Sequence, residues 1–312
     1  MRKALIQTLV SLAEQDDRIV LLTADLGFMV VEPFKDRFPD RFFNVGVMEQ
    51  NMIGVATGLA LNGFIPFVYS IATFAALRSY EFIRNGPMAH NLPVRIIGIG
   101  NGVEYGHDGL THHALEDIAV MRTLPSLSII SPADKDQADL AIRSTWNLPG
   151  PVYYRISKFG DETIPNLSFS YRDVDLIKQG QDAILFVYGP LSYKVLHAAQ
   201  VLEQRGLSCA VVVISTLQPI NVIQLRFLLC GYAHVFTFES HYATGGIGTI
   251  LAEVIAANSL QCTLHVTGLT FTPGQLLGSQ SYLEEQSGLS AEKMVEKISR
   301  TLKTEQNQGI IL

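Results

Sequence analysis

Short apolar runs and stretches of helical periodicity alternate along the chain. The apolar runs show no polar alternation, which is typical of parallel strands that are buried on both faces. They predict strands at 19–24, 42–47, 64–69, 94–100, 127–131 and 152–157 in the first half, and at 183–189, 209–214, 234–240 and 263–269 in the second. Apolar positions three and four residues apart predict helices near the start and at 49–61, 74–84, 115–122, 133–146, 193–204, 246–258 and 291–302.

This alternation predicts an α/β protein with two doubly wound domains, each a parallel sheet with helices on both faces. The length of 312 residues suits two domains of about 150 residues each. A polar and weakly periodic stretch separates the two halves. We therefore predict a first domain at 1–160, a linker at 161–180, a second domain at 181–303 and a frayed tail at 304–312.

No charged residue occurs between Gln50 and Leu77, a length that could span a membrane. Asn62, Gly63 and Pro66 interrupt this stretch near its middle, so we interpret it as a helix, a turn and a buried strand. The first residues lack the small-residue cleavage site of a signal peptide. The cysteines are widely spaced and form no paired motif, which indicates reduced thiols. These features predict a cytoplasmic protein with no membrane span.

The balance of charge bears on the partners that the protein could have. The net charge is −6 and there is no block of Lys or Arg, so nucleic acid is a poor candidate, because binding to phosphate backbones depends on clustered cations. Charged residues make up only 17% of the chain, against roughly 25% in ordinary soluble domains. So few charges suggest that another subunit covers part of the surface. A large, well-packed monomer is the alternative.

Ligands bind open parallel sheets beyond the carboxyl ends of the strands, and four features of the sequence fall there. Asp25 follows the first strand and could contact a ligand or cap a turn. Glu49 lies in the first turn of an almost wholly apolar helix. Its carboxyl could serve only as a partner of the helix dipole, or it could exchange a proton with a ligand. Phe74 begins another helix and could belong to the core or stack on a flat heteroaromatic ligand.

The fourth feature is the segment 102–117, which follows a strand and contains His107, His112 and His113 together with Asp108. Loops in this position often carry function, and histidine can transfer protons near neutral pH. A zinc site is an alternative, but the sequence has no second cluster of ligands to complete it. The loop is therefore a candidate for acid–base chemistry.

Several motifs occur together in an order that is characteristic of one family. ADLG, NVGVMEQNM, a helix that begins TF, DGLTHHALEDIAVMRTLP and SPAD follow one another in the first half, and TFESHYATGGIGTILAE lies in the second. The first half resembles the pyrimidine-binding domain of the transketolase family, and the second half resembles that family's C-terminal domain. The resemblance extends over residues 2–302. Each motif alone is weak, and the ordered set is specific.

The resemblance implies that the cofactor is thiamine diphosphate and that the pyrimidine end of this cofactor binds to this chain. Glu49 matches the glutamate whose carboxylic acid hydrogen-bonds the pyrimidine and thereby promotes formation of the reactive ylide. Phe74 matches the aromatic residue that stacks on the pyrimidine. Asp25 matches an aspartate close to the cofactor.

The resemblance also implies residues that bind a sugar phosphate substrate. Asp108 and His112 match residues that contact the hydroxyl and carbonyl oxygens of the substrate, and His112 would assist proton transfer. Arg2 falls where many transketolases hold an arginine for the phosphate of the acceptor. Lys158, or alternatively Arg155, falls at a second phosphate-binding position.

Several positions depart from the pattern of the family. Leu77 replaces a second aromatic residue beside the cofactor, and Gly100 stands where a substrate-binding histidine is frequent. Met29 stands where a serine usually supports phosphate binding, Met48 precedes the glutamate in place of Arg or Ala, and His113 replaces a common Gln. The cofactor pocket is therefore expected to be kept, whereas the substrate pocket is expected to be altered.

The residues that would hold the diphosphate are missing from the sequence. Family members bind it through magnesium at a GDG…N segment of a separate N-terminal domain, and this chain has no GDG motif. The glycine-rich segment 241–248 opens a helix and could receive an anion, but the family uses it for structure. The chain also begins where the pyrimidine-binding domain begins in longer relatives. The resemblance therefore implies an N-terminal transketolase-like partner subunit that holds magnesium and the diphosphate, in an α2β2 heterotetramer.

The activity that the resemblance implies is transfer of a two-carbon ketol unit from a ketose phosphate to an aldose acceptor. Two alternatives stay open. The chain could be a decarboxylating subunit, like a deoxyxylulose-phosphate synthase or a 2-oxo acid dehydrogenase β subunit, although the DG-THH loop favours ketol transfer. It could also be a non-catalytic, regulatory subunit that keeps the fold.

Overall fold

The computed structural model describes residues 1–159, 162–165, 167–270 and 277–308, with side chains described as far as Lys303. The elements of the first half are α1 (Arg2–Ala13), β1 (Ile19–Thr23), α2 (Glu32–Arg37), β2 (Phe42–Asn44), α3 (Glu49–Leu61), β3 (Ile65–Ile71), α4 (Tyr80–Ile83), β4 (Arg95–Ile99), α5 (Asp117–Met121), β5 (Ser128–Ile130), α6 (Lys135–Thr145) and β6 (Val152–Ile156). Those of the second half are β7 (Asp175–Lys178), β8 (Ala183–Val187), α7 (Leu191–Gln204), β9 (Cys209–Val213), β10 (Thr216–Gln218), α8 (Val222–Leu229), β11 (His234–Tyr242), α9 (Ile247–Ala257), β12 (Thr263–Leu269), α10 (Gln280–Gln286) and α11 (Ala291–Gln308).

Seven strands form the first sheet, in the order β10-β5-β6-β4-β3-β1-β2. All its pairings are parallel except that of β10 with β5. The strands from β3 to β6 and β1 are buried at every position, which explains why their apolar runs do not alternate. Leu21 packs with α1 and α6 on one face, and Val20 packs with α3 on the other.

Five strands form the second sheet, in the order β12-β11-β8-β9-β7, with β7 antiparallel at one edge. Helices α7 and α11 contribute to the apolar cluster on one face of this sheet. On the other face, residues of α8 and α9 join a cluster that also includes residues of the first sheet and of α3. The two domains therefore share a continuous apolar core. The two helix-covered sheets confirm the predicted α/β class with two doubly wound domains.

Three features of the chain differ from the pattern that the sequence predicts. The predicted helix 74–84 is not one regular α-helix, because Thr73–Arg78 and Arg84–Met88 form wider π-helical turns on either side of the short α4. The predicted linker at 161–180 contains β7, and β10 from the second half extends the first sheet. Residues 304–308 of the predicted tail continue α11, and residues 309–312 lie outside the described residues.

No helix in the described part of the chain has both the length and the apolar character that crossing a membrane requires. The uncharged stretch that begins at Gln50 forms α3, a turn and β3, as the interruption by Asn62, Gly63 and Pro66 predicts. Every residue of β3 is buried in the first domain, whereas α3 has exposed as well as buried positions.

Candidate functional site

The carboxylate of Glu49 lies at the N-terminus of α3, with only 2% of its side chain exposed. A glutamate at this position is favoured by the helix dipole, but burial of a charge is costly unless a partner compensates it. Its partner is Arg78, whose Nη1 lies 2.6 Å from Oε2 of Glu49. Arg78 was not predicted from the sequence as a site residue. A signal was available, because Glu49 and Arg78 are the charged residues on either side of the long uncharged stretch.

Phe74 and Arg78 lie on the same π-helical segment, Thr73–Arg78, directly after β3. The guanidinium carbon of Arg78 lies 4.1 Å from the centre of the Phe74 ring, within the range of a cation–π contact. Such wide turns are frequent at functional sites because they change the direction of side chains along a helix. Here the turn places an aromatic face, a guanidinium and the Glu49 carboxylate in one cluster.

The ring of His112 meets the edge of this cluster. Its centre lies 5.1 Å from that of Phe74, in an edge-to-face arrangement, and 5.6 Å from that of Tyr105. The hydroxyl of Thr111 lies 2.9 Å from Nδ1 of His112. This contact fixes the orientation of the imidazole and does not involve Nε2. His112 therefore lies beside the aromatic ring that the sequence predicts to stack on the cofactor.

The neighbouring His113 has a different environment. It is buried, and its Nε2 lies 3.0 Å from the carbonyl oxygen of Gly106. Burial lowers the pKa of His113, which favours the neutral imidazole. The contact of His113 with Gly106 therefore stabilises the loop that carries His112. His107 and Asp108 are exposed on the same loop. Asp108 lines a cavity of about 740 Å³ between the two domains, to which Lys158 also contributes.

Arg2 and Lys158, the two predicted phosphate-binding residues, lie together. Nε of Arg2 donates a hydrogen bond to the carbonyl oxygen of Lys158 at 3.1 Å, and the N-terminal ammonium donates to that of Phe159 at 2.9 Å. Nζ of Lys158 lies 4.5 Å from the centre of the Tyr105 ring. The side chain of Arg2 and the amino group of Met1 therefore both bind backbone carbonyl oxygens of the short segment after β6 that carries Lys158.

The buried carboxylate of Glu104, which the sequence analysis missed, supports this segment. It accepts hydrogen bonds at 2.7 Å from the hydroxyl of Ser157 and from the backbone N–H of Lys158. Burial raises the pKa of Glu104, and both hydrogen bonds oppose that rise. Glu104 therefore fixes the backbone from which Lys158 projects.

Arg155, the alternative to Lys158, does not fit a phosphate-binding role. Its side chain is fully buried, and its Nε lies 2.8 Å from Oδ2 of Asp117. Its Nη2 donates to the carbonyl oxygens of Ala114 and Ser240, each at 2.9 Å. Because Ser240 lies on β11, this guanidinium joins the two domains, and none of its surface is exposed to solvent.

Asp25 lies just beyond β1 with a positive φ of 55° and is exposed. Its backbone N–H donates to Oδ1 of Asn44, and Nδ2 of Asn44 donates to Oδ1 of Asp25 at 3.1 Å. The same Asn44 oxygen accepts from the N–H of Gly46. Asp25 therefore stabilises the turn that leads into α3. Asn44 binds only Oδ1 of Asp25, so Oδ2 of Asp25 is not blocked by Asn44 and could contact a ligand.

Gly100 departs from the family pattern for a physical reason. A Cβ on this residue would lie 2.3 Å from Cε2 of Tyr105, and its φ of +93° disfavours any other residue. Tyr105 thus fills the space beside position 100. Burial raises the pKa of Tyr105 to about 12, so its hydroxyl stays protonated at neutral pH and can donate a hydrogen bond.

The helix N-terminus after the glycine-rich segment 241–248 already has a carboxylate from the chain itself. Glu239 accepts hydrogen bonds from the backbone N–H groups of Ile247 at 2.6 Å and Gly248 at 2.9 Å. A Cβ on Gly246 would lie 1.8 Å from an oxygen of Glu239, so only glycine fits there. This end of α9 is occupied by Glu239 and serves the structure, as the resemblance implies.

The carboxylate of Glu49 and the ring of Phe74 are together able to hold a flat, nitrogen-containing group. The Arg78 guanidinium is such a group, with Nη1 2.6 Å from the carboxylate and its central carbon 4.1 Å from the centre of the aromatic ring. An aminopyrimidine ring is likewise flat and carries nitrogen atoms at its edge. The residues present therefore fit the pyrimidine end of thiamine diphosphate. Among the residues that the structure describes, no three His, Cys, Asp or Glu side chains are grouped so that they could hold a metal ion.

Comparison with known proteins identifies the family to which both domains belong. The family model "Transketolase, pyrimidine binding domain" matches residues 1–159, and "Transketolase, C-terminal domain" matches residues 172–294. A putative transketolase C-terminal section from Methanocaldococcus jannaschii is 34% identical over 98% of this chain and 97% of its own length. One of the subunits of an apulose-4-phosphate transketolase from Actinobacillus succinogenes is 30% identical over 85% of this chain and 86% of its own length.

A solved structure, described as a split gene transketolase in an inactive β4 tetramer, superimposes with a TM-score of 0.85. It is 33% identical, and the match covers 97% of both chains. The transketolase family depends on thiamine diphosphate, whose pyrimidine binds to the domain that residues 1–159 match. The chain therefore belongs to the transketolase family, and over nearly its whole length it is similar to members described as a C-terminal section and as a split gene transketolase.

Proposed function

We propose that this chain provides the pyrimidine-binding half of an active site that transfers a two-carbon ketol unit from a ketose phosphate to an aldose acceptor. The observation that carries the proposal is the buried Glu49 carboxyl beside the face of Phe74, with a flat nitrogen group already held between them. When bound, thiamine diphosphate would supply the nucleophilic carbon that adds to the ketose carbonyl.

Each residue of the site has a distinct role in this proposal. Glu49 shares a proton with the pyrimidine ring, and Phe74 holds the ring flat. His112, 5.1 Å from Phe74, moves protons to and from the oxygens of the substrate. Asp108 accepts hydrogen bonds from substrate hydroxyls, and Asp25 contacts the cofactor at the end of β1. The loop 102–117 thus brings acid–base groups to the cofactor from the next strand of the sheet.

The cations after β6 are proposed to bind the phosphate of the substrate. Arg2 and Lys158 come from opposite ends of the first domain, and a hydrogen bond at 3.1 Å joins them. Lysine and arginine are the usual ligands of phosphate groups in proteins. The related apulose-4-phosphate transketolase also carries a phosphorylated sugar in its name, which supports this substrate class.

The site is proposed to be completed by another polypeptide. This chain has no GDG motif, and so magnesium and the diphosphate would be held by an N-terminal transketolase-like partner in an α2β2 heterotetramer. Two relatives support a split arrangement: one is described as a C-terminal section, and another is inactive as a β4 tetramer. The few charges on the chain agree with a surface that a partner covers.

The test is turnover by the chain mixed with its diphosphate-binding partner, thiamine diphosphate and magnesium. Glu49→Gln should reduce ketol transfer by a factor of about 100 or more, because an amide cannot share a proton with the ring. Glu203→Gln, on the exposed face of α7, is the matched control and should retain full activity. Full turnover by Glu49→Gln would contradict the proposal, and release of carbon dioxide from pyruvate would identify the decarboxylating alternative.

A further inference from the structure

Arg78 makes both contacts that the pyrimidine of the cofactor is proposed to make. Its Nη1 lies 2.6 Å from Oε2 of Glu49, and its guanidinium carbon lies 4.1 Å above the ring of Phe74. One carboxylate and one aromatic face therefore define a place for a single flat group. A guanidinium and a pyrimidine ring cannot both occupy that place.

We propose that Arg78 occupies the pyrimidine site in the free subunit and must leave it when thiamine diphosphate binds. The inference rests on the proposed function, since it takes Glu49 and Phe74 as the cofactor contacts. Arg78 would then compete with the cofactor for the pyrimidine site, and it would occupy that site until the cofactor binds to the assembled enzyme.

The burial of Glu49 explains why a cation is needed beside it in the free subunit. The side chain of Glu49 is 2% exposed, so without a partner its carboxylate would be left buried and uncompensated. Arg78 provides that compensation in the free subunit. In the proposed complex, the carboxylic acid of Glu49 would hydrogen-bond the pyrimidine ring instead, so the carboxyl of Glu49 has a partner in both states.

The position of Arg78 also allows it to leave. Its side chain is 40% exposed and ends a π-helical turn, and Ser79 separates it from α4. The guanidinium can therefore rotate into solvent without unfolding a helix, and it regains water as hydrogen-bond partners. A pair with one exposed member is weak, so competition is expected to reduce the affinity for the cofactor by a factor of about three to ten.

The experiment is a calorimetric titration of thiamine diphosphate, with magnesium in excess, into the assembled two-subunit enzyme. Arg78→Met removes the competitor and should bind the cofactor about three- to tenfold more tightly than the wild type. Arg78→Lys keeps a charge for Glu49 but cannot lie flat on Phe74, so its affinity should lie between the two. Arg84→Met is the matched control, because Arg84 is exposed and donates to Asn85 instead, and its affinity should be unchanged.

Two results would overturn the inference. Equal or weaker cofactor binding by both Arg78→Met and Arg78→Lys, with Arg84→Met unchanged, would show that Arg78 helps to hold a ligand or has no part in binding. The lysine variant keeps this test valid if the methionine variant does not fold. Glu49→Gln in the same assay separates the two proposals: a loss of turnover with no gain in affinity for the Arg78 variants would contradict only the inference.

Discussion

At the scale of single residues, buried charge separates the functional side chains from the structural ones. Glu49 has one partner, Arg78, and that partner is partly exposed and replaceable. The carboxylates of Glu104 and Glu239 instead each accept two hydrogen bonds, which come from groups next to them in the fold. A buried carboxylate with a removable partner is available for chemistry, whereas one with fixed donors holds the backbone.

Glu239 should make the stability of the protein dependent on pH. Burial raises its pKa from 4.5 to about 8, against the opposing effect of the N–H groups of Gly248 and Ile247. The folded state therefore binds the proton more tightly than the unfolded chain, and the free energy of unfolding falls as pH rises between about 5 and 8. Glu239→Gln should reduce that fall by on the order of 2 kcal/mol. Urea unfolding of the wild type and the variant at about pH 5.5 and about pH 8 measures how far the free energy of unfolding falls in each protein. An equal fall in both proteins would contradict the raised pKa of Glu239.

Sequence could predict individual site residues only where a motif was specific. Glu49, Phe74 and His112, which the motifs imply as site residues, lie close together around Arg78 and the Phe74 ring in the structure. Arg78 belongs to no such motif. Its position depends on the π-helical turn Thr73–Arg78, which the spacing of apolar residues does not distinguish from an α-helical turn. Arg155 and Lys158 could not be distinguished in sequence, because Arg155 lies near the end of β6, Lys158 lies just beyond the strand, and only the structure gives their burial.

At the scale of elements, the site depends on how the π-helical segments pack against α3. Apolar spacing predicted a helix at 74–84, but π and α turns differ by only one residue in their hydrogen bonds, so the period could not distinguish them. The buried parallel strands were predictable from their apolar runs. The short edge strands β7 and β10 were not, because β7 is only partly buried and the partner of β10 lies in the other half of the chain.

Gly86 should be required for this packing. A Cβ on Gly86 would lie 2.5 Å from Oγ1 of Thr57 on α3, a distance that no stable contact allows. Gly86→Ala should therefore lower the free energy of unfolding by about 1–3 kcal/mol through overpacking. Thr57→Ala removes the clashing atoms, so the double variant should regain most of the stability that Gly86→Ala loses. Denaturant unfolding of the wild type, the two single variants and the double variant gives the coupling free energy between the two positions. Strictly additive changes in the free energy of unfolding would contradict the predicted contact.

At the scale of the whole molecule, the two domains are joined by a shared apolar core and by a hydrogen bond from a buried, ion-paired arginine. The pair of Arg155 and Asp117 is fully buried, and the same guanidinium reaches the carbonyl oxygen of Ser240 in the second domain. The cavity that Asp108 and Lys158 line lies at this junction. The relative position of the two domains therefore determines the shape of the proposed substrate site.

Asp117→Asn should weaken this junction. The substitution preserves size but leaves the Arg155 charge buried without its counter-ion, and such a loss costs about 3–5 kcal/mol. We expect a corresponding fall in the free energy of unfolding measured in denaturant. Asp136→Asn, at an exposed position of α6, is the control and should change stability by less than about 0.5 kcal/mol. Equal stability of the two variants would contradict a structural role for the pair.

In the proposed enzyme, Glu49 faces a thiamine ring whose diphosphate is held by a different chain. Calorimetric titration of thiamine diphosphate and magnesium into this chain alone, and into its mixture with the partner, tests this arrangement. We expect tight, magnesium-dependent binding to the mixture, weaker binding by the Glu49→Gln variant of the mixture, and no such binding to the chain alone. Equally tight, magnesium-dependent binding by the chain without its partner would contradict it.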